Sequence, residues 1–275
     1  MSKFRLHEGL GSFVFFSHDG AAMRPSIRVF FFRPKSSVRD ARIVIAMHGL
    51  DRAASNFRDV LVEQAERTGQ ILLVPEFDAA QFPDVYAYNH GNVRRPPPNE
   101  TVFPRNLWNF SIIDRLFEHV RTAVGSDRET FGLFGNSAGA QFVLRYLALT
   151  EATAVDAAVA ANSGWYMLPD LAVDYPAGMG GLNLDESYLR RYLGRRVIVL
   201  LGDADTDSAA ADLARSEAAM AQGPHRLARG LWHFEHCKQI ANQLGARFGW
   251  ELKIVPGAGH VDQQIFDQAA DILGD

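Results

Sequence analysis

Cysteine is nearly absent: Cys237 stands alone in 275 residues. A single thiol cannot close an internal disulfide, so nothing marks an oxidising compartment. No recognisable cysteine-nucleophile pattern surrounds it, which leaves a buried, inert thiol. A basic excess is also missing. Lys and Arg number 28 against 32 Asp and Glu, for a formal net charge of −4. With no surplus of positive charge to neutralise phosphates, no nucleic-acid partner is expected. Runs of like charge that would lie on a membrane surface are lacking. No stretch approaches the roughly 20 apolar residues of a membrane span. Repeats, low-complexity tracts and linkers are not visible. The N-terminus does not read as an export signal. Met1 to Arg5 is mildly basic and Phe13 to Phe16 apolar, but the run is short, and His18-Asp19-Gly20 stands where a small-residue cleavage site belongs.

What is present is ordinary globular composition, 47% hydrophobic and 22% charged. The length suits one α/β domain over 1–275, large enough to fold without a disulfide or metal. Ser12 to Ser17 and Ile27 to Phe32 are β-rich with a turn signal at Asp19-Gly20, and read as an antiparallel pair. Ile43 to Met47 and Ile71 to Val74 are short and wholly apolar, as strands buried on both faces of a parallel sheet are. Helical spacing runs over Asn56 to Thr68 and Trp108 to Val124. Beyond these, strand and helix alternate: Phe131 to Phe134, Ser137 to Leu149, Ala157 to Ala161, Val197 to Leu201, Glu251 to Val255 and Val261 to Leu273. The expected fold class is therefore α/β, a mostly parallel sheet flanked by helices with antiparallel N-terminal strands. Asp78 to Arg105, with three consecutive prolines from Pro96, is too long for an idle connection and reads as a packed insert. The segments Tyr166 to Tyr192 and Ala209 to Trp232 read as irregular or helical inserts that form a modest lid.

One motif carries chemistry. Phe131 to Gly139 reads strand, sharp turn, helix, and contains Gly135-Asn136-Ser137-Ala138-Gly139, a Gly-x-Ser-x-Gly pattern. Such a turn presents a serine hydroxyl at the strand tip, with the helix N-terminus favouring a developing oxyanion. Ser137 is the candidate nucleophile. An acid and a base are expected to follow in the order Asp, His. After Val197 to Leu201 comes Gly202-Asp203-Ala204-Asp205-Thr206-Asp207, in which three aspartates compete. Asp207 suits an N-cap for a helix beginning near Ser208, and Asp203 suits a turn. After the last strand, Gly257-Ala258-Gly259-His260 places a histidine on a loop before a helix, so His260 is the candidate base. The amide of Ala138 and the amide of Leu50, in the turn His48 to Arg52, are the candidate oxyanion donors. His48 reads as structural, orienting that turn.

With these strings in view the chain resembles α/β-hydrolases of the poly(3-hydroxybutyrate) depolymerase-like esterase branch. The resemblance runs from about Ile43 to the C-terminus. It rests on His48 to Arg52, Pro75-Glu76-Phe77, Tyr88-Asn89 with Gly91-Asn92, Trp108, Gly135 to Gly139, Asn162 to Tyr166, Gly202 to Asp205 and Gly257 to His260. The family's Gly-x-x-Asp spacing selects Asp205 as the acid. The resemblance implies an esterase or depolymerase acting on a small or oligomeric ester, and the ordered Ser, Asp and His imply two-step acyl transfer to water through an acyl-enzyme, with no cofactor required. Hydrolysis of an amide, transfer to another acceptor, and a silent ligand-binding fold are the rival readings. Secreted polyester depolymerases carry an export signal and often disulfides. Neither is visible here, so a cytoplasmic ester is the expectation. Trp165, Tyr166, Tyr88 and Asn89 are pocket candidates, with plain core packing as the competing reading. His233 and His236 form at most half a metal site with no third ligand in a supporting motif, so no metal is expected. Arg226 and Arg229 read as salt-bridge residues rather than as partners for a substrate carboxylate.

Overall fold

In the computed structural model, described for residues 5–17, 26–36 and 38–274, eight strands join one sheet. β1 (Gly9–Phe15) and β2 (Ile27–Arg33) pair antiparallel, Gly9 opposite Arg33 and Phe15 opposite Ile27. The Asp19-Gly20 turn expected between them lies outside the described residues. β3 (Ile43–Met47) and β4 (Ile71–Pro75) follow, each buried along its whole length. Then come β5 (Phe131–Asn136), β6 (Val155–Ala161), β7 (Val197–Gly202) and β8 (Trp250–Val255). The spatial order is β1-β2-β4-β3-β5-β6-β7-β8. β2 also runs antiparallel to β4, and every pairing from β4 to β8 is parallel. The chain reverses strand order between β3 and β5, so the crevice at their carboxyl ends is where this architecture places a ligand.

Helices cover both faces. One core layer packs α3 (Ser111–Val124), α4 (Ala138–Leu149), α5 (Glu186–Gly194) and α7 (Arg226–Leu244) through residues such as Leu116, Phe117, Phe142, Val143, Leu193 and Cys237. The other packs α1 (Ala54–Asp59), α2 (Val62–Thr68) and α8 (Gln263–Gly274) through Ala54, Ala65, Ile265, Phe266 and Ala269. A four-residue helix, α6 (Glu217–Met220), precedes α7. No described helix is long and apolar enough to cross a membrane.

The single helix expected over Asn56 to Thr68 is two. At the junction the Leu61 amide bonds the Arg58 carbonyl, three residues back, which tightens the turn and directs Leu61 into the core. Asp78 to Arg105 has little regular structure yet is well packed. Its Tyr88 and Asn89 are buried, and it meets the 166–192 segment through Tyr175 Oη donating to His90 O and Arg94 donating to Tyr175 O. α7 begins inside the stretch read as an irregular or helical insert, and runs on beyond it. Its buried positions 226, 229, 230, 233, 234, 237 and 241 have helical spacing but hold Arg, Arg, Gly, His, Phe, Cys and Ala. The periodicity is real and the hydrophobic signal is weak.

Candidate active site

Ser137 sits between β5 and α4 with φ 58° and ψ −116°, a region that non-glycine residues rarely adopt. Its amide bonds Ala161 O on the neighbouring strand at 2.9 Å, and its carbonyl accepts from Gln141 N at 3.2 Å. These bonds hold the turn. The two glycines beside it are sterically required. A Cβ on Gly135 would lie 2.3 Å from the Gly139 backbone, and one on Gly139 would lie 1.9 Å from Met47 O. The strand–helix crossing at this turn is closed to any larger residue.

His260 stands on the loop after β8. Its Nε2 lies 3.0 Å from Ser137 Oγ and its Nδ1 lies 2.8 Å from Asp205 Oδ2. The three residues come from the ends of β5, β7 and β8, brought together by parallel strands whose carboxyl ends share one edge. Of the competing aspartates, only Asp205 turns towards the imidazole. Asp203 accepts from Gly257 N at 2.6 Å and so tethers the histidine loop to β7. Asp207 accepts from Ala209 N at 2.8 Å. No helix begins near Ser208, so the expected N-cap role is replaced by a local turn in which the carboxylate takes up an amide two residues on.

The sequence marks Asn162, directly after β6, only as part of the string Asn162 to Tyr166. Here its Nδ2 donates to Gly259 O and His260 O, both at 3.1 Å, while its Oδ1 accepts from Gly202 N at 2.9 Å. Asn136 Nδ2 adds a longer bond to His260 O at 3.4 Å. Asn162, at φ 46°, thus joins Asp203 and Asn136 in fixing the histidine loop to the sheet. The only sequence signal for it is an Asn directly after an apolar strand.

His48 is fully buried. Its Nε2 accepts from Phe77 N at 3.1 Å, its Nδ1–H donates to Gly49 O at 2.9 Å, and its own carbonyl accepts from Tyr88 Oη at 2.6 Å. Burial pushes its pKa down to about 4, so the ring is neutral and pins the turn that carries Leu50. Leu50 borders a cavity of about 470 Å³ that also contains Ser137 and His260. Its remaining wall is Gly49, Asp51, Ala53, Asn56, Phe57, Val60, Asn136, Asp212, Val261 and Phe266. Ala138, the first residue of α4, is buried directly behind Ser137.

The aromatic pocket candidates are placed elsewhere. Tyr88 stacks on His48 at 4.8 Å. Asn89 Nδ2 donates to Gln141 Oε1 at 3.0 Å. Tyr166 stacks on His233 at 4.4 Å, and the Trp165 ring lies 5.1 Å from the Arg145 guanidinium. None of the four lines the cavity around Ser137. Neither does any residue of 78–105 or 166–192, and only Asp212 comes from the 209–232 insert. His236 stacks on Trp232 at 4.9 Å, so it and His233 engage separate rings. Cys237 is buried with its Sγ 3.4 Å from His233 Nε2, and burial pushes its pKa up.

Among the solved structures that resemble the chain, two align over nearly all its length at more than 30% identity. Poly(aspartic acid) hydrolase-1 from Sphingomonas sp. KT-1 is 36% identical with a TM-score of 0.92, covering 98% of this chain and 100% of that one. LpqC, a poly(3-hydroxybutyrate) depolymerase from Bordetella parapertussis, is 32% identical with a TM-score of 0.89, covering 97% and 90%. The chain belongs to the poly(3-hydroxybutyrate) depolymerase-like α/β-hydrolases. As a member of that family it is an enzyme of the serine-esterase type. The same fold recurs at 16% identity in an S-formylglutathione hydrolase from Agrobacterium tumefaciens, with a TM-score of 0.59 and coverage of 96% and 92%. Neither a family model nor a curated protein matches the sequence.

Proposed function

We propose that this hydrolase cleaves a carboxylic ester through Ser137, His260 and Asp205. The observation that carries the reading is the continuous chain of polar contacts Ser137 Oγ–His260 Nε2–His260 Nδ1–Asp205 Oδ2, at 3.0 and 2.8 Å, opening on the cavity. Ser137 Oγ attacks the ester carbonyl carbon while His260 takes its proton. The carbonyl electron pair moves to the oxyanion, which the Leu50 and Ala138 amides stabilise. As the tetrahedral species collapses, the C–O bond to the alcohol breaks and His260 returns the proton to the leaving oxygen. Water then enters, gives a proton to His260, and attacks the acyl-enzyme. The acid departs and Ser137 recovers its proton. Asp205 holds the imidazole in the tautomer that keeps Nε2 free to accept, and stabilises the imidazolium formed in each half-reaction.

The cavity wall favours a neutral acyl group. Leu50, Phe57, Val60, Val261 and Phe266 supply apolar surface, and the titratable groups among the lining residues are Asp51, Asp212 and His260, with no Lys or Arg. A hydroxyalkanoate-type ester or its oligomer fits this wall. A second reading, hydrolysis of an amide, draws on the relative that acts on poly(aspartic acid). A polyanion would meet two carboxylates and no cation in this cavity, which favours the ester. The test is a panel of p-nitrophenyl esters of rising acyl length, with hydroxybutyrate oligomers and matched anilides. Ester turnover well above anilide turnover, with neutral acyl chains preferred over a succinyl one, is expected. Anilides or succinyl esters cleaved as readily would overturn the assignment.

A further inference from the structure

Asp205 Oδ2 faces His260, and its other oxygen faces a guanidinium. Arg226, the first residue of α7, places Nη1 3.6 Å from Asp205 Oδ1, too long for a hydrogen bond but an ion pair, with both side chains only 3% exposed. The same guanidinium donates from Nη2 to Asp212 Oδ1 at 2.6 Å. The next residue in the helix, Leu227, donates its amide to Asp205 O at 3.2 Å. The first turn of α7 therefore grips both the backbone and the side chain of the residue that contacts His260. Asp212, half exposed, stands on the cavity wall beside His260.

Resting on the triad reading above, we propose that Arg226 is a positioning residue that aims Asp205 at His260 and divides its single positive charge between Asp205 and the cavity carboxylate Asp212. A carboxylate this deeply buried is costly unless it is paired. Arg suits the task because its planar fork reaches two carboxylates at once, which a lysine ammonium on a flexible stem does less well. Arg226 is not available as a clamp for a substrate carboxylate, because it is buried and already flanked by two acids. Burial works against the charged form of Asp212, but the hydrogen bond and charge of Arg226 outweigh it and hold that carboxyl below its usual range.

The groups around this cluster are accounted for on each neighbouring element. On the loop after β7, Asp203 is bonded to Gly257 N and Asp207 to Ala209 N. On the histidine loop, Asp262 accepts from Gly259 N at 3.4 Å. On the insert, Arg215 donates to Ser208 O. On α7, Arg229 is taken up by the carbonyls of Gly164, Ala214 and Gly223. The charged groups that face His260 are thus Asp205, Asp212 and, across the cavity, Asp51, with Arg226 the cation paired to the first two. Removing the cation stabilises an imidazolium there, and removing Asp212 does the reverse.

The test is the pH profile of kcat/KM and of kcat for p-nitrophenyl butyrate, measured on the whole protein as wild type, Arg226→Met, Arg226→Lys and Asp212→Asn. Arg226→Met is expected to lower kcat by about tenfold to a hundredfold, as loss of an orienting partner does. It should also move the acidic limb up by roughly half to one pH unit. Arg226→Lys should keep the limb near the wild-type position while recovering only part of kcat. Asp212→Asn should move the limb the opposite way, to lower pH. Limbs that stay put in both Arg226→Met and Asp212→Asn, or Lys and Met variants with equally reduced kcat and unchanged limbs, would overturn the proposal. If Arg226→Met does not fold, the limb of Asp212→Asn and the kcat of Arg226→Lys decide. Wild-type protein that neither turns over nor reacts at Ser137 with a fluorophosphonate would instead sink the triad reading itself.

Discussion

Three aspartates within five residues follow β7, and they do three different things. Asp203 ties down the loop that carries His260, Asp205 faces the imidazole, and Asp207 closes a local turn. Asp205→Asn should lower kcat by about four orders of magnitude, because an amide no longer selects the required histidine tautomer. Asp207→Asn should leave kcat within about twofold, since its partner is a single exposed amide remote from the imidazole. Steady-state kinetics on the two purified variants checks this, and equal losses would contradict the assignment. The placing of Ser137 and His260 at neighbouring strand ends was legible in the sequence, because glycines and apolar strands flank them. The choice among the aspartates came from the family's spacing. Asn162, which holds the histidine loop, was not legible as a functional residue: its contacts join β6 to β7 and to the loop after β8, and no local pattern announces a bond across strands.

At the scale of elements, the turn between β5 and α4 is the tightest crossing in the site. Gly139→Ala would drive a Cβ into Met47 O on β3, so the helix or the strand would have to shift. A destabilisation of at least about 3 kcal/mol is expected. Gly125, which caps α3 at φ 64° with open space around it, offers a control. Gly125→Ala should cost only about 1 kcal/mol, from backbone strain alone. Urea denaturation of both variants measures the difference, and similar losses would contradict the steric account. The strands were readable as short apolar runs because burial on both faces removes polar alternation. α7 was readable only in part. Its buried stripe includes Arg226, Arg229 and His233, whose hydrogen-bond and ring partners lie elsewhere in the chain. The pocket candidates failed to meet at the cavity for a related reason: aromatic residues in long inserts signal packing as readily as binding, and here Tyr88 and Tyr166 are used to cover His48 and His233.

For the molecule as a whole, buried neutral histidines set the response to acid. Burial lowers His48 to about 4 and His233 to about 3, and it lowers His90 well below 6.5 with the Arg145 charge adding to the effect. Above pH 6.5 these rings are neutral in both folded and unfolded chains and contribute no pH dependence. Between 6.5 and the folded values, the unfolded chain binds protons that the folded one does not, so stability falls as pH falls. Each ring adds a slope of about 1.4 kcal/mol per pH unit in that window. Urea unfolding at pH 7.0, 6.0 and 5.0 should show the loss, and His233→Phe should flatten it. A free energy of unfolding unchanged over that range would contradict the burial argument. The proposed chemistry turns on Ser137, held at a strained turn within hydrogen-bond reach of His260. Its most direct test is intact-mass analysis after treatment with a fluorophosphonate, on wild type and Ser137→Ala in parallel. One adduct on the wild type, mapped to Ser137, with none on a folded Ser137→Ala protein, is the predicted result. A folded wild type that stays unmodified, or a Ser137→Ala protein labelled to the same extent, would contradict it.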